Sequence, residues 1–299
     1  MINIATAPVS WGIWEMTIDR PDLIGPETYL ETIVDMGYTA TETGPPGYFA
    51  PNGAAAVEKA GRFGVELIAT FLPLRLDDAE GFEEDLLALD RTVEVLEATG
   101  GGILLLADME TPERARAAGS DERRRATGWD SDTFDRAAER LLHAAGLVTS
   151  RGLDVALHPH AATHIESEEE TEQLLARAPG LGLCLDTGHC IVGGGDPLAL
   201  ARRHIDRIRH LHLKDVDGAV LARLQAGEVD MDEAWLLGLF CEFGAGVVPL
   251  QSFLALPEVR ELDVWAVIEQ DRVAVTVDDM PVVRAADERN RSKVEDWLR

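Results

Sequence analysis

The sequence predicts an α/β protein that folds as a single (β/α)8 TIM barrel over residues 1–299. Three observations predict this fold: eight short apolar runs, amphipathic segments between most of them, and no break in composition along the 299 residues. Short, nearly continuous apolar strands that alternate with helices indicate a parallel sheet buried on both faces. An open, doubly wound sheet is the alternative.

Strands and helices are predicted to alternate along most of the chain. We expect strands at residues 2–7, 38–41, 66–72, 102–107, 154–157, 181–185, 208–213 and 263–268. Amphipathic segments predict helices at residues 27–36, 53–63, 78–99, 131–151, 167–178 and 197–204. Ser167 and Glu170 form an S-x-x-E capping box, which predicts the start of the fifth of these helices.

The connection between the seventh and eighth strands, residues 216–248, is the irregular one. It is long, contains Trp235 and Phe240, and ends in the glycine-rich segment FGAGVV. Because long loops on a barrel usually serve a function, we expect this connection to form a lid or an oligomer contact. The apolar residues between 235 and 243 are the expected contact in a homo-oligomer.

Composition limits the partners and the compartment. A net charge of −27, from 54 acidic and 27 basic residues, argues against a nucleic-acid partner. The densest basic segment, residues 122–125, lies beside acids, and we expect a solvated loop there. No apolar run is long enough to span a bilayer and residues 1–11 lack signal-peptide features, so we expect a cytoplasmic protein without a membrane partner. Cys184, Cys190 and Cys241 lack paired spacing and are expected to be reduced thiols.

Polar residues follow each predicted strand, where a barrel builds its active site. In strand order, these residues are Ser10 and Trp11, Glu42, Arg75, Asp108, His158 and His160, Asp186 and His189, His212 and Lys214, and Glu269 and Asp271. Each has a simpler explanation when taken alone, since a strand-end aspartate more often caps the next helix than binds a metal. Their convergence at one end of the barrel is what predicts a site.

Strands five to eight end in His, Asp, His and Glu within one arc of the predicted barrel. Carboxylates and imidazoles brought together away from water need a compensating cation. Mixed nitrogen and oxygen ligands suit Mn²⁺, Co²⁺, Fe²⁺ or Zn²⁺ better than Mg²⁺ or Ca²⁺. The sequence therefore predicts a divalent metal site. His160 and His164 have the i, i+4 spacing of a zincin helix, but no glutamate follows His160, so that motif is not predicted.

Seven segments, spread nearly end to end along the chain, are shared with a known family: APVSWGIWE, GYTATETGPPGYFAP, TFLPLRLDD, LHPHAATHIES, CLDTGHCIVGGGDP, HLHLKDV and WAVIEQDR. Through them the chain resembles the xylose isomerase-like barrel superfamily of sugar isomerases and epimerases, and within it most resembles the inosose dehydratase branch. The motifs DTGH and HLHLKD are typical of the superfamily. TETGPPGY together with HPHAAT favours the dehydratase branch.

The resemblance implies which strand-end residues bind the metal and which contact the substrate. The metal ligands would be His158, Asp186, His212 and Glu269, with Mn²⁺ or Co²⁺ expected and Zn²⁺, Fe²⁺ or Mg²⁺ as alternatives. His189 would contact substrate hydroxyls, and the other expected substrate contacts are Glu42, Trp11, His160, Lys214 and Arg272. Ketose 3-epimerases of the superfamily carry a glutamate where this chain has His158. Because epimerisation uses two opposed bases, this difference favours elimination of water.

We therefore expect a metal-dependent lyase that dehydrates a keto-polyol, with scyllo-inosose as the leading substrate, through an enolate. The base is Glu269 or one of His158, His160 and His189, and the acid is Lys214 or His189. The alternative is a metal-dependent isomerase or epimerase of a small ketose. The net charge argues against a metal-assisted phosphodiesterase. The complete ligand set argues against a sugar-binding protein without activity.

Overall fold

The computed structural model describes residues 2–273 and 275–299. Its parallel barrel with surrounding helices confirms the predicted fold class. We number the barrel strands β1 to β8 in chain order. They are β1 Asn3–Thr6, β2 Ala40–Thr41, β3 in two pieces (Glu66–Leu67 and Ala69–Leu74), β4 Ile103–Asp108, β5 Asp154–Leu157, β6 Gly182–Asp186, β7 Ile208–Leu213 and β8 Trp265–Ile268.

The strand order makes a barrel rather than the open sheet that was the alternative. β1 pairs in parallel with both β2 and β8, and the pairing continues through β7, β6 and β5 to β4. The two pieces of β3 complete the ring, since Glu66–Leu67 pairs with β2 and Ala69–Leu74 pairs with β4. Consequently β4 and β8 lie on opposite sides of the barrel.

Helices lie between the strands at the predicted places. The six predicted segments form the helices Pro26–Asp35, Gly53–Arg62, Ala79–Thr99, Ser131–Thr149, Glu168–Arg177 and Pro197–His204. The capping box is present, because the Ser167 hydroxyl accepts from the Glu170 amide while the Glu170 carboxylate accepts from the Ser167 amide. Among the described residues, no helix has both the length and the apolarity needed to cross a membrane.

In residues 2–273 and 275–299, seven short helices and the last long helix were not predicted from the sequence. The additional helices are Pro112–Ala117, Asp121–Thr127, Thr187–Val192, Gly218–Ala226, Met231–Leu236, Leu250–Leu254, Pro257–Arg260 and Met280–Leu298. Single 3₁₀ turns occur at Pro8–Trp11, Ile205–Arg207 and Val277–Asp279.

The barrel holds two layers of core. Its interior is filled by small and branched side chains of alternating strand positions, among them Ala5, Ala69, Leu105, Ala156 and Val267. A larger apolar layer packs between the outer faces of the strands and the helices. Near-complete burial of both faces explains why the strands read as continuous apolar runs. Cys184, Cys190 and Cys241 are all free thiols, as expected.

The basic segment at residues 122–125 is not the solvated loop that we expected. It lies in the helix Asp121–Thr127, and Arg124 is buried. The Arg124 guanidinium donates to the Glu166 carboxylate at 2.8 Å and to the Gly193 carbonyl at 3.1 Å. The expectation was wrong because Glu166 and Gly193, which compensate the buried charge, lie far along the chain from Arg124.

The long connection after β7 is ordered around one carboxylate, that of Asp215. Asp215–Val216 pairs antiparallel with Phe240–Cys241. The Asp215 carboxylate accepts hydrogen bonds from the backbone amides of Gly244, Gly246 and Val248. A Cβ on Gly246 would lie 2.3 Å from Asp215 Oδ1, so glycine is required there. The last residue of the HLHLKD motif thus shapes the FGAGVV segment.

Asp287 in the last helix gives a stability prediction. Burial raises the pKa of Asp287 to about 7, against the influence of Tyr38, Arg272 and Arg291, and its Oδ2 has no hydrogen-bond partner. An unfolded aspartate titrates near pH 4, so the wild type loses stability as the pH rises from about 4 to about 7. Asp287→Asn removes this loss. As the pH rises from about 4 to about 7, we expect the unfolding free energy of the variant to increase relative to that of the wild type by on the order of 2–4 kcal/mol.

Urea unfolding at a series of pH values measures this difference. Asp296→Asn is the matched control, because Asp296 lies exposed on the same helix. We expect its difference from wild type to change little with pH. Equal pH dependence of wild type and Asp287→Asn would show that Asp287 does not titrate in this way.

Candidate active site

A cavity of about 410 Å³ opens at the carboxyl ends of the barrel strands. Its deep end is polar and its mouth is apolar. The predicted site residues on its wall are Glu42, His158, His160, His212, Lys214 and Glu269, together with Asp108 and Asp271. The apolar part is formed largely by Trp14, Met16, Phe71, Met109 and Trp235. Asp186 and His189 are buried beside these polar residues.

The four predicted metal ligands lie together, and each has a buried polar atom without a hydrogen-bond partner. These atoms are both ring nitrogens of His158, Asp186 Oδ2, His212 Nδ1 and Glu269 Oε2. Asp186 Oδ2 is 3.5 Å from both His158 Nε2 and His212 Nδ1, and His212 Nδ1 is 3.1 Å from Glu269 Oε2. Buried polar atoms are normally paired, so this convergence fits a bound cation.

Within the part of the chain that the structure describes, the candidate ligands form four overlapping groups of three, and two of these groups contain Asp186. Asp186, His212 and Glu269 each offer one atom within 4.8 Å of the others, and so do His158, Asp186 and His189. Asp186 is common to both groups. The mixed imidazole and carboxylate donors are those that divalent transition metals accept.

Asp186 performs two tasks with its two oxygens. Oδ1 accepts hydrogen bonds from the Gly188 and His189 amides, both at 2.8 Å, and so caps the helix Thr187–Val192. Oδ2 faces the cluster. Burial tends to raise the pKa of Asp186, but Lys214 and the neighbouring imidazoles hold it well below its ordinary value. The capping role and the ligand role that the sequence left as alternatives are therefore compatible.

His158 and His212 differ in protonation before a cation binds. Burial lowers the pKa of His158 to about 3, so its imidazole is neutral. His212 Nε2 donates to Glu42 Oε1 at 2.9 Å, so Nδ1 is the nitrogen that faces Asp186 and Glu269. Burial lowers the pKa of His212, but the neighbouring acidic groups raise it well above its ordinary value, so a cation bound at Nδ1 would displace a proton. His210 Nε2 lies 2.8 Å from the same Glu42 oxygen. A carboxylate behind a ligating histidine is a common outer-shell arrangement because it fixes the ring orientation and tautomer.

Glu42 is thus a cavity residue whose carboxylate orients two imidazoles, and it was predicted only as a substrate contact. His210 was missed. Residues two apart in a strand face the same side, so the spacing of His210 and His212 in HLHLK was a signal that could have identified it.

Lys214 lies among three carboxylates. Its Nζ is 3.1 Å from Asp186 Oδ2, 3.0 Å from Glu269 Oε2 and 2.9 Å from Asp271 Oδ2. Burial works against the charged ammonium, but these carboxylates raise the pKa of Lys214 well above its ordinary value. Lys214 therefore offsets part of the buried negative charge beside the candidate metal ligands.

Glu269 differs from its acidic neighbour Asp186 in protonation. Burial raises the pKa of Glu269 to about 7, although His212 and Lys214 act in the opposite direction. A carboxyl group that titrates near neutral pH is a suitable general base, because it accepts a proton and is also deprotonated in a large fraction of molecules. This combination is frequent in catalytic sites.

His160 and His189 stack beside the cluster, with ring centroids 3.7 Å apart. His160 Nδ1 lies 3.1 Å from Glu110 Oε1. The Ala161 amide donates to His189 Nδ1 at 3.2 Å. Burial keeps the pKa of His189 well below its ordinary value. His189 Nε2 lies 3.2 Å from Lys214 Nζ, and because the ammonium can only donate, Nε2 is not a donor in that direction.

Three predicted substrate contacts, Trp11, His189 and Arg272, do not line the cavity. Trp11 is fully buried at the end of the 3₁₀ turn Pro8–Trp11 and packs edge-on against Tyr29. Trp14, three residues later, lies on the cavity wall instead. The Arg272 guanidinium donates to the Ser10 carbonyl and the Gln270 side chain, while Asp271 lies on the wall. The contacts of Trp11 and Arg272 with substrate therefore stay predictions that the lining of this cavity does not support.

Comparison with known proteins agrees with this geometry. A family model described as "Xylose isomerase-like TIM barrel" matches residues 30–286. The inosose dehydratase of Geobacillus kaustophilus (strain HTA426) is 29% identical over 280 residues, which cover 90% of this chain and 87% of that protein. The rhizopine catabolism protein MocC of Rhizobium meliloti is 30% identical over 277 residues, or 91% of this chain and 82% of that protein.

Two solved structures show the same fold at low sequence identity. The IOLI protein, solved with a binding zinc atom, has a TM-score of 0.72 and 13% identity over 99% of this chain and 98% of its own. The probable 3-DHS dehydratase AsbF from Bacillus anthracis has a TM-score of 0.69 and 14% identity over 98% of both chains. With the family model covering most of the chain, these findings show that the protein belongs to the xylose isomerase-like TIM-barrel family.

Proposed function

We propose that this protein is a metal-dependent lyase that removes water from a keto-polyol, with scyllo-inosose as the substrate and a trihydroxycyclohexane-dione as the product. The observation that carries the proposal is the convergence of unpartnered atoms of His158, Asp186, His212 and Glu269 on one side of the cavity. Relatives named inosose dehydratase, matched along most of the chain, support the reaction class and the substrate.

Asp186, His212 and Glu269 would hold the metal, with His158 completing the set, and Mn²⁺ or Co²⁺ suits these donors. Once bound, the metal supplies Lewis acidity toward the substrate's ketone oxygen, which stabilises the enolate by several kcal/mol. The residues present fit such an ion, because the buried ring nitrogens of His158 and His212 Nδ1 have no hydrogen-bond partner and Lys214 offsets only part of the charge of Asp186 and Glu269.

In this proposal, Glu269 takes the proton from the carbon beside the ketone. Glu269 lies on the cavity wall, and before a metal binds, burial raises its pKa to about 7, whereas the pKa of His189 lies well below and that of Lys214 well above its ordinary value. Lys214 stabilises negative charge that develops on the ketone oxygen. His160 on the cavity wall holds a substrate hydroxyl. The apolar mouth formed by Trp14 and Trp235 packs against the C–H face of the ring.

Epimerisation of a ketose fits the site less well. It needs a second base on the opposite face of the reacting carbon, and the strand-five position that would supply it holds His158. Because the pKa of His158 is about 3, its imidazole is too weak a base to take a proton from carbon at neutral pH. A small ketose isomerase or epimerase is therefore the second candidate.

Metal removal and product analysis test the proposal together. Prolonged chelation is expected to abolish activity on scyllo-inosose, and Mn²⁺ or Co²⁺ is expected to restore it. Mass spectrometry should show a product that has lost one water. A product of unchanged mass would favour the isomerase. Full activity in protein shown by elemental analysis to lack metal would contradict the proposed site.

A further inference from the structure

Asp108 occupies the side of the cavity opposite Glu269. It is the last residue of β4, whereas Glu269 directly follows β8, and these strands face each other across the barrel. Both side chains line the same cavity. Asp108 is buried to 97%, having only 3% of its surface exposed. A substrate whose ketone lies at the metal-ligand cluster would therefore present its far atoms to Asp108.

A histidine from another loop holds Asp108 in place. His164 donates to Asp108 Oδ2 twice, from its backbone amide at 2.9 Å and from ring Nδ1 at 3.0 Å. The His164 ring stacks on Trp129, with centroids 4.5 Å apart and planes 15° apart. Among the described residues, the hydrogen bonds of Asp108 use only Oδ2. Oδ1 is thus the oxygen that remains for a ligand in the cavity.

We propose that Asp108, positioned by His164, is the general acid that protonates the hydroxyl group expelled from the substrate. This inference rests on the proposed dehydration. From the sequence alone, the candidates for this acid were Lys214 and His189. The inference also gives a function to His164, the third histidine of LHPHAATH, which positions Asp108.

Glu269 removes the proton from the carbon next to the ketone, and the electron pair enters the enolate. When the ketone re-forms, that pair makes a carbon–carbon double bond and the next carbon–oxygen bond breaks. The departing hydroxyl takes the proton of Asp108 Oδ1 and leaves as water. The resulting enol tautomerises to the dione, and Asp108 regains a proton as Glu269 loses one.

The geometry favours Asp108 over the two earlier candidates. The expelled hydroxyl is on the second carbon from the ketone, away from the metal-ligand cluster. Lys214 is held inside that cluster by three carboxylates, and His189 is not on the cavity wall. Burial and the charge of Asp77 raise the pKa of Asp108, and the hydrogen bonds from His164 oppose this. The raised pKa favours the protonated form that an acid needs.

Asp108→Asn separates the two halves of the reaction. The asparagine oxygen still accepts from His164, so we expect a folded protein whose melting temperature is no lower than that of the wild type. In D₂O with saturating Mn²⁺, the variant should exchange the α-proton of scyllo-inosose while water loss falls by about 10²–10⁴-fold. Asp287→Asn, another buried aspartate but outside the cavity, is the matched control and should keep both rates.

A substrate analogue distinguishes acid catalysis from a structural role. Fluoride leaves without a proton, so replacing the expelled hydroxyl by fluorine should restore elimination in Asp108→Asn to near the wild-type rate. In the wild type, the rate with the hydroxyl substrate should fall at high pH relative to the rate with the fluoro analogue, as Asp108, facing His164 and Asp77, ionises.

The opposite results overturn the assignment. If exchange and elimination fall together in Asp108→Asn, or if neither falls, Asp108 is not the acid. Equal loss on both substrates would indicate a structural role. The wild-type comparison of the two substrates holds even if the variant does not fold. A wild type that neither exchanges nor eliminates would contradict the proposed function itself, which is a different outcome.

Discussion

Asp186→Asn will bind Mn²⁺ or Co²⁺ at least about 10³-fold more weakly than wild type. Loss of a residue that only hydrogen-bonds to a metal ligand already lowers metal affinity by about 10–100-fold, and Asp186 is proposed as a ligand itself. Asp186 belongs to two of the candidate ligand groups, and its Oδ2 is the atom that approaches His158 and His212. The substitution removes a negative charge and places an amide there. Turnover at low metal concentration should disappear in parallel. Isothermal titration of metal into chelator-treated protein measures the affinity directly.

The variant should remain folded, because an asparagine Oδ1 still accepts from the Gly188 and His189 amides. Asp196→Asn is a matched control. Asp196 caps the next helix in the same way, accepting from the Leu198 and Ala199 amides, and its cap is exposed. We expect Asp196→Asn to bind metal as wild type does. Wild-type metal affinity in Asp186→Asn would show that the ligands have been wrongly assigned.

The fold was predictable because each strand is buried on both faces. The eight strands lie within a few residues of the apolar runs, and helix Pro197–His204 matches its prediction at both ends. The short helices were not predictable in the same way. Pro112–Ala117 and Asp121–Thr127 bury Arg114 and Arg124 against Glu170 and Glu166, which lie more than 40 residues away. The periodicity of apolar residues within a short segment does not indicate ion pairs with residues so far along the chain.

The site was predictable to the extent that it follows strand ends. That rule brought together His158, Asp186, His212 and Glu269 from separate parts of the chain. The strand-end rule does not say which side chain faces the cavity where the turn after the strand determines this. SWGIWE contains two tryptophans, and only the 3₁₀ turn Pro8–Trp11 determines that Trp14 lies on the cavity wall.

Protonation states could not be read from the sequence at all. Glu42 and Glu269 are both strand-end glutamates on the cavity wall. Hydrogen bonds from His210 and His212 contribute to lowering the pKa of Glu42, whereas burial raises the pKa of Glu269 to about 7. The difference arises from which imidazole atoms face each carboxylate, and that depends on the packing of several strands. It decides which glutamate is suited to accept a proton.

Glu269→Gln is therefore expected to abolish the first step of the reaction as well as the second. The amide cannot accept the α-proton, so exchange of that proton in D₂O should fall on the order of 10⁴-fold, at the upper end of what a general base contributes. The new amide nitrogen or oxygen would also face His212 Nδ1 and Lys214 Nζ, 3.1 and 3.0 Å from Oε2 in the wild type. NMR of scyllo-inosose incubated in D₂O at saturating Mn²⁺ measures the exchange.

Glu42→Gln is the comparison for Glu269→Gln, because Glu42 orients the metal ligand His212 but is not the proposed base. Its amide oxygen still accepts from His210 and His212, so we expect a metal affinity lower by about 10–100-fold, with exchange recovered at high Mn²⁺. Excess metal should not restore exchange in Glu269→Gln. If it does, Glu269 is a ligand alone and a different group removes the proton. Together with Asp108→Asn, which should exchange without eliminating, the three variants assign the proton transfers to opposite walls of the cavity.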